Sequence, residues 1–71
     1  MIPGIDLDPT ICHGKPVIAG TRVLVSTILG ALAGGDSQAM VAEDYNLTPE
    51  QISTALEFAS DIVTKSPQNS G

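Results

Sequence analysis

The sequence predicts a mainly α-helical domain that opens on a short β-hairpin-like segment and continues as three packed helices. Three observations carry this prediction. Up to Val23 the chain is broken by Pro3, Gly4, Pro9, Gly14, Pro16 and Gly20, with only short apolar runs between them, which reads as extended chain and turns. From Val25 onward the apolar residues recur at helical spacing, as a helix with one buried face requires. Thr48-Pro49-Glu50-Gln51 then combines an N-cap, a proline at the first helical position and a glutamine that closes a capping box.

The first third contains the least regular elements. Ile5-Asp6-Leu7 reads as a short strand and Thr10-Ile11-Cys12 as a better strand candidate. His13-Gly14-Lys15 reads as a turn, because glycine adopts positive φ without a Cβ penalty. Pro16-Val17-Ile18 is extended again, with the proline at a strand start where its missing N–H is tolerated. Ala19-Gly20-Thr21-Arg22 forms a second tight turn, and Val23-Leu24 leads into a helix. A two-stranded hairpin is marginal alone in water, so it must pack on the helices or pair with a second copy.

The helices follow in order. Val25, Ile28, Leu29 and Leu32 form the stripe of helix 1. Gly34-Gly35 ends it by the left-handed route that glycine favours. Helix 2 starts after Asp36 or Ser37, either of which can cap it, and is expected to bury Met40 and Val41 with Ala39 alongside. Helix 3 carries Ile52, Ala55, Leu56, Ala59, Ile62 and Val63 as one apolar stripe, with Leu47 and Ile52 at the staple positions before and after the cap. The expected organisation is a single domain over residues 1–64, with the β segment at about 5–23 and helices at about 25–33, 37–44 and 49–64. Residues 65–71 are expected to form a mobile polar tail.

Seventy-one residues supply one domain, and a chain this short buries a small share of its surface. The hydrophobic content of 42% argues for a folded core all the same. With Tyr45 and Phe58 as the only aromatic residues, that core must be built from Val, Ile, Leu and Ala. Disulfide pairs and metal clusters are lacking, so oligomerisation or docking on a partner is the expected source of further stability, and a homodimer is anticipated.

The net charge is −5 and only Lys15, Arg22 and Lys65 are basic. Affinity for nucleic acid rests mainly on neutralised phosphates, so an isolated subunit should bind DNA poorly and a basic protein partner is electrostatically more natural. A single cysteine fits a reducing cytoplasm. Residues 1–10 lack the basic start and apolar run of a signal peptide. No apolar stretch reaches the roughly 18 residues of a membrane helix. The expectation is a cytoplasmic protein without membrane contact.

Chemistry-bearing residues are few. Cys12 and His13 adjoin, but a zinc site takes about four ligands, and Asp6 and Asp8 do not complete a set. They read as a buried small residue and a turn residue. The glycines at 14 and 20 lack the Lys-Ser/Thr that completes a phosphate loop. No acid, base or ligand set converges, so no enzyme, metal or cofactor is expected. Helix 3 offers Gln51, Ser53 and Thr54 to DNA, flanked by Glu50 and Glu57, which makes it a poor reader of base edges. Lys15 and Arg22 are the strongest partner-binding candidates. Arginine's planar fork suits a carboxylate, and that carboxylate is either internal, tying the hairpin to a helix, or on a partner.

The run Pro9 to Val23, containing Gly14-Lys15-Pro16-Val17-Ile18-Ala19-Gly20-Thr21-Arg22, and the later run Glu43-Asp44-Tyr45-Asn46-Leu47-Thr48-Pro49-Glu50-Gln51-Ile52 together resemble the signature of a small prokaryotic family, domain-of-unknown-function family 433. The resemblance extends from about Pro9 to Val63. It implies a homeodomain-like three-helix domain, of helix-turn-helix type, behind a short β segment. It also implies an antitoxin-like role: binding a PIN-like nuclease toxin, covering its acidic metal site and co-repressing the operon. The acidic charge sets this chain apart from a direct operator binder, so DNA contact is expected only together with the partner. The alternatives are a helix-turn-helix transcriptional regulator and a non-catalytic dimerising module.

Overall fold

Strand β1 (Ile5–Asp6) pairs antiparallel with β2 (Val17–Ile18), Ile5 opposite Ile18 and Asp6 opposite Val17. Helices α1 (Val25–Ala33), α2 (Gln38–Asp44) and α3 (Pro49–Lys65) follow. The computed structural model describes residues 3–65. The chain is therefore mainly helical, with a short two-stranded hairpin ahead of three helices. The expected polar tail lies outside the described residues, except that α3 runs on through Lys65.

The partner of β2 is β1 and not Thr10-Ile11-Cys12. The carboxylate of Asp8 accepts from the Thr10 amide at 2.9 Å and from the Thr10 hydroxyl at 2.7 Å, while the Ile11 amide donates to the Asp8 carbonyl at 2.9 Å. An aspartate that binds its own backbone two residues on makes a turn in place of a strand. A 3-10 turn over Cys12–Gly14 follows, with φ of 50° at Cys12, 58° at His13 and 80° at Gly14. Val23-Leu24 leads into α1 as extended chain: Leu24 bridges Val17, and the Ile18 amide donates to the Val23 carbonyl at 3.0 Å. The Val25 amide donates to the Pro16 carbonyl at 3.0 Å, fastening the start of α1 to β2.

Both helix ends ahead of α3 close by the same device. In each, the residue after the C-cap is left-handed, and two amides reach back to the last turn. At α1 that residue is Gly35 (φ 108°), and the Asp36 amide donates to the Ala31 carbonyl at 3.1 Å. At α2 it is Asn46 (φ 56°), and the Leu47 amide donates to the Ala42 carbonyl at 2.8 Å. Asparagine is among the few non-glycine residues that tolerate this conformation. Leu47 is thereby driven into the core and precedes the cap of α3. There the Thr48 hydroxyl accepts from the Gln51 amide at 3.2 Å, and Gln51 Oε1 accepts from the Thr48 amide at 2.8 Å. Ser37 caps α2, accepting from the Met40 amide at 3.1 Å.

The core joins Ile5 and Ile18 of the hairpin to Val25 and Ile28 of α1, Val41 and Ala42 of α2, and Leu47, Ile52 and Ala55 around the start of α3. Two expectations of burial fail. Met40 is half exposed and Ala39 is exposed, because α2 has only seven residues and turns Val41 and Ala42 inward. Ile62 and Val63 are also exposed. Both line a hollow opposite Val25, Ser26 and Leu29 of α1, which does not close over them.

Candidate partner-binding face

The residues around Lys15 and Arg22 form a braced loop cluster at the hairpin. Gly20 shapes the first corner: its φ is 79°, and the Thr21 amide donates to the Ile18 carbonyl at 3.0 Å. A four-residue turn with positive φ at its third position favours glycine there. The Thr21 hydroxyl then donates to the Ile18 carbonyl at 2.7 Å and accepts from the Val23 amide at 3.0 Å. Arg22 is therefore held between two residues whose backbones are fastened to β2.

Cys12 links this corner to the other cation. Its carbonyl accepts from the Lys15 amide at 3.1 Å, and its half-buried thiol donates weakly to the Arg22 carbonyl at 3.8 Å. Cys12 and His13 both hold left-handed backbone, which costs a non-glycine residue about 1–3 kcal/mol. Such strain is concentrated at ligand clamps and switch segments, and here it lies directly before Lys15. Lys15 and Arg22 are both exposed. Neither side chain has an ion pair or hydrogen bond among the described residues, so the internal tie considered for Arg22 is not made there. Asp8, in the same loop and fully exposed, has its carboxyl held below the ordinary aspartate value, first by the Thr10 amide and then by the Thr10 hydroxyl.

The three residues considered for DNA do not converge. Gln51 is committed to the capping box of α3. The Thr54 hydroxyl donates to the Glu50 carbonyl at 2.9 Å, and its methyl group lies against Gly4, where a Cβ would come within 2.9 Å of it. Ser53 is exposed. No group of His, Cys, Asp and Glu that could hold a metal occurs among the described residues, and no described helix is long and apolar enough to cross a membrane.

Two features of the cluster escape a reading by residue type. The Thr21 brace is a turn-forming use of threonine, signalled only by its place after Gly20. The strain at Cys12 and His13 has no signal at all, since neither residue favours positive φ strongly enough to mark it.

The family model described as a protein of unknown function, DUF433, matches residues 5–59. A Mycobacterium tuberculosis protein named "Putative antitoxin VapB45" is 43% identical over 51 residues, which is 72% of this chain and 21% of that protein. A second protein of the same organism, "Uncharacterized protein Rv2308", is 34% identical over 56 residues, 79% of this chain and 24% of that one. The crystal structure of Rv2018 from M. tuberculosis superposes with a TM-score of 0.66 at 42% identity, covering 73% of this chain and 24% of that one. The chain thus spans between a fifth and a quarter of the length of these relatives.

Proposed function

The chain belongs to the DUF433 family, and from that premise we propose that it is an antitoxin-like protein, a non-catalytic cytoplasmic module that binds and neutralises a PIN-like nuclease toxin. The observation that carries the reading is the likeness to a protein named as an antitoxin. The hairpin cluster supports it. Two exposed cations without partners among the described residues project from a braced and strained loop in a chain of net charge −5. Arg22 pairs with a carboxylate of the toxin's metal site through two parallel hydrogen bonds, the geometry that gives arginine–carboxylate pairs their strength. Lys15 adds a point charge beside it.

Neutralisation follows from that pairing. A nuclease site that needs its carboxylates to hold metal loses them to a cation seated between them. Co-purification with the product of the neighbouring gene tests the reading. A stable complex is expected. If the two proteins elute apart, the neutralisation reading fails.

The four-residue connection from the end of α2 to the start of α3 favours a second element of the proposal, a homeodomain-like helix-turn-helix used for co-repression by a homodimer. With Gln51 and Thr54 engaged within the fold, DNA contact depends on cations supplied by the toxin. A gel shift on the operon's own promoter should appear with the complex and not with the chain alone. A shift by the chain alone would favour a direct regulator.

A further inference from the structure

The Arg22 main chain lies inside a ring that a neighbouring side chain closes. The Thr21 hydroxyl accepts from the Val23 amide at 3.0 Å, so one hydrogen bond spans Arg22 from the residue before it to the residue after it. The same hydroxyl donates to the Ile18 carbonyl at 2.7 Å, and the Cys12 thiol donates weakly to the Arg22 carbonyl at 3.8 Å. We infer that Thr21 is a positioning residue of the partner-binding face: its hydroxyl fixes the Arg22 main chain before the partner arrives, so the guanidinium meets a carboxylate without first ordering the loop. The inference rests on the role of Arg22 in the proposed function and adds a residue that acts only through Arg22.

The corner and the entry to α1 are secured without this hydroxyl. The Thr21 amide already closes the corner by donating to the Ile18 carbonyl at 3.0 Å. The path from β2 into α1 is already fastened by the Ile18 amide on the Val23 carbonyl and the Val25 amide on the Pro16 carbonyl, both at 3.0 Å. What the hydroxyl adds is the bond across Arg22, the local turn that serine and threonine make with backbone two residues on. The residue it holds has an exposed side chain with no ion pair or hydrogen bond among the described residues. Order is therefore imposed on a main chain whose side chain is left available.

The benefit to binding is entropic. A residue whose backbone must be fixed during association weakens binding by roughly fivefold to thirtyfold. An arginine presented from an ordered main chain has only its side chain left to immobilise.

Isothermal titration of the purified toxin, the neighbouring gene's product, with wild type, Thr21→Val, Arg22→Ala and the double variant tests the inference. Valine keeps the branched shape and removes the hydroxyl. Thr21→Val should bind about tenfold more weakly with unchanged helical circular dichroism. Thr21→Ser, which keeps the hydroxyl, should bind as wild type does. In the Arg22→Ala background Thr21→Val should cost nothing further, because the two residues act as one unit. Losses that add overturn the inference, and so does a Thr21→Val chain of wild-type affinity. A Thr21→Val chain that fails to fold also overturns it, since the hydroxyl would then belong to the fold. NMR relaxation at the Arg22 amide of the free chain needs no toxin. The order parameter there should fall from about 0.85 to below about 0.6 in Thr21→Val and stay high in Thr21→Ser. If wild type captures no toxin, the antitoxin reading fails and this measurement still decides: lost order upholds the positioning of Arg22 by Thr21, and retained order overturns it.

Discussion

Replacing Gly20 with alanine should destabilise the protein by about 0.5–1 kcal/mol, and replacing Gly30 with alanine should stabilise it by about as much. The chemistry of the two changes is the same, and in neither case would the added Cβ meet anything within 4 Å. What differs is the backbone. Gly20 sits at φ 79° in the corner that presents Arg22, where an L-residue costs about 1–2 kcal/mol. Alanine's narrower unfolded ensemble returns about 0.4–1 kcal/mol of that. Gly30 lies inside α1 with ordinary helical φ, where alanine is preferred by about 0.5–1 kcal/mol. In a domain of this size 1 kcal/mol corresponds to about 4–8 °C in Tm, so the two variants should melt on opposite sides of wild type. Thermal unfolding followed by circular dichroism, at one chain concentration throughout, reads both. A Gly20→Ala variant as stable as wild type would refute the left-handed corner, and with it the stated reason for the position of Arg22.

Other perturbations probe separate parts of the account. Ile28→Ala empties a fully buried site at the centre of the core; a loss of about 2–5 kcal/mol is expected, enough to leave much of a marginal domain unfolded in urea titrations. Thr48→Ala removes half of the capping box and should cost about 1 kcal/mol, with amide exchange rising first in the opening turn of α3. The Asp8 carboxyl should titrate below the 3.8 of a free aspartate when followed by NMR. Because its folded value is the lower one, the turn's contribution is present above the ordinary aspartate range and lost as pH falls through the folded value. Asp8→Ala should loosen the Thr10 and Ile11 amides at neutral pH and remove this acid sensitivity.

The order of elements was legible because glycine, proline and helical spacing are strong signals. Gly34-Gly35, Ser37 and Thr48-Pro49-Glu50-Gln51 mark the helix ends through local chemistry that acts the same way in any context. The family was legible because two separate motifs stand in order along one short chain. The pairing of strands was not. Thr10-Ile11-Cys12 has better strand composition than Ile5-Asp6, but the Asp8 side chain binds Thr10 and diverts the backbone. Val23 and Leu24 do lead into α1, but their pairing with Ile18 and Val17 joins residues several positions apart and has no local signal. Burial at the edges was equally hidden. Met40 and Val63 fit an apolar stripe, but α2 turns Val41 and Ala42 inward instead of Met40, and α1 leaves a hollow opposite Val63. At the candidate site, Lys15 and Arg22 stood out through the scarcity of cations. The Thr21 brace and the strained Cys12-His13 pair depend on backbone angles and contacts that residue types do not announce.

The central claim is that Arg22 meets the toxin while contributing little to the fold. Isothermal titration of the purified toxin with wild-type and Arg22→Ala protein tests it directly, with thermal unfolding of both chains as the control. Removing one partner of a desolvated charge pair costs about 2 kcal/mol or more, so affinity should fall at least about 30-fold while Tm stays within a degree or two. Unchanged affinity with an intact fold would contradict the account, as would a loss of stability as large as the loss of binding.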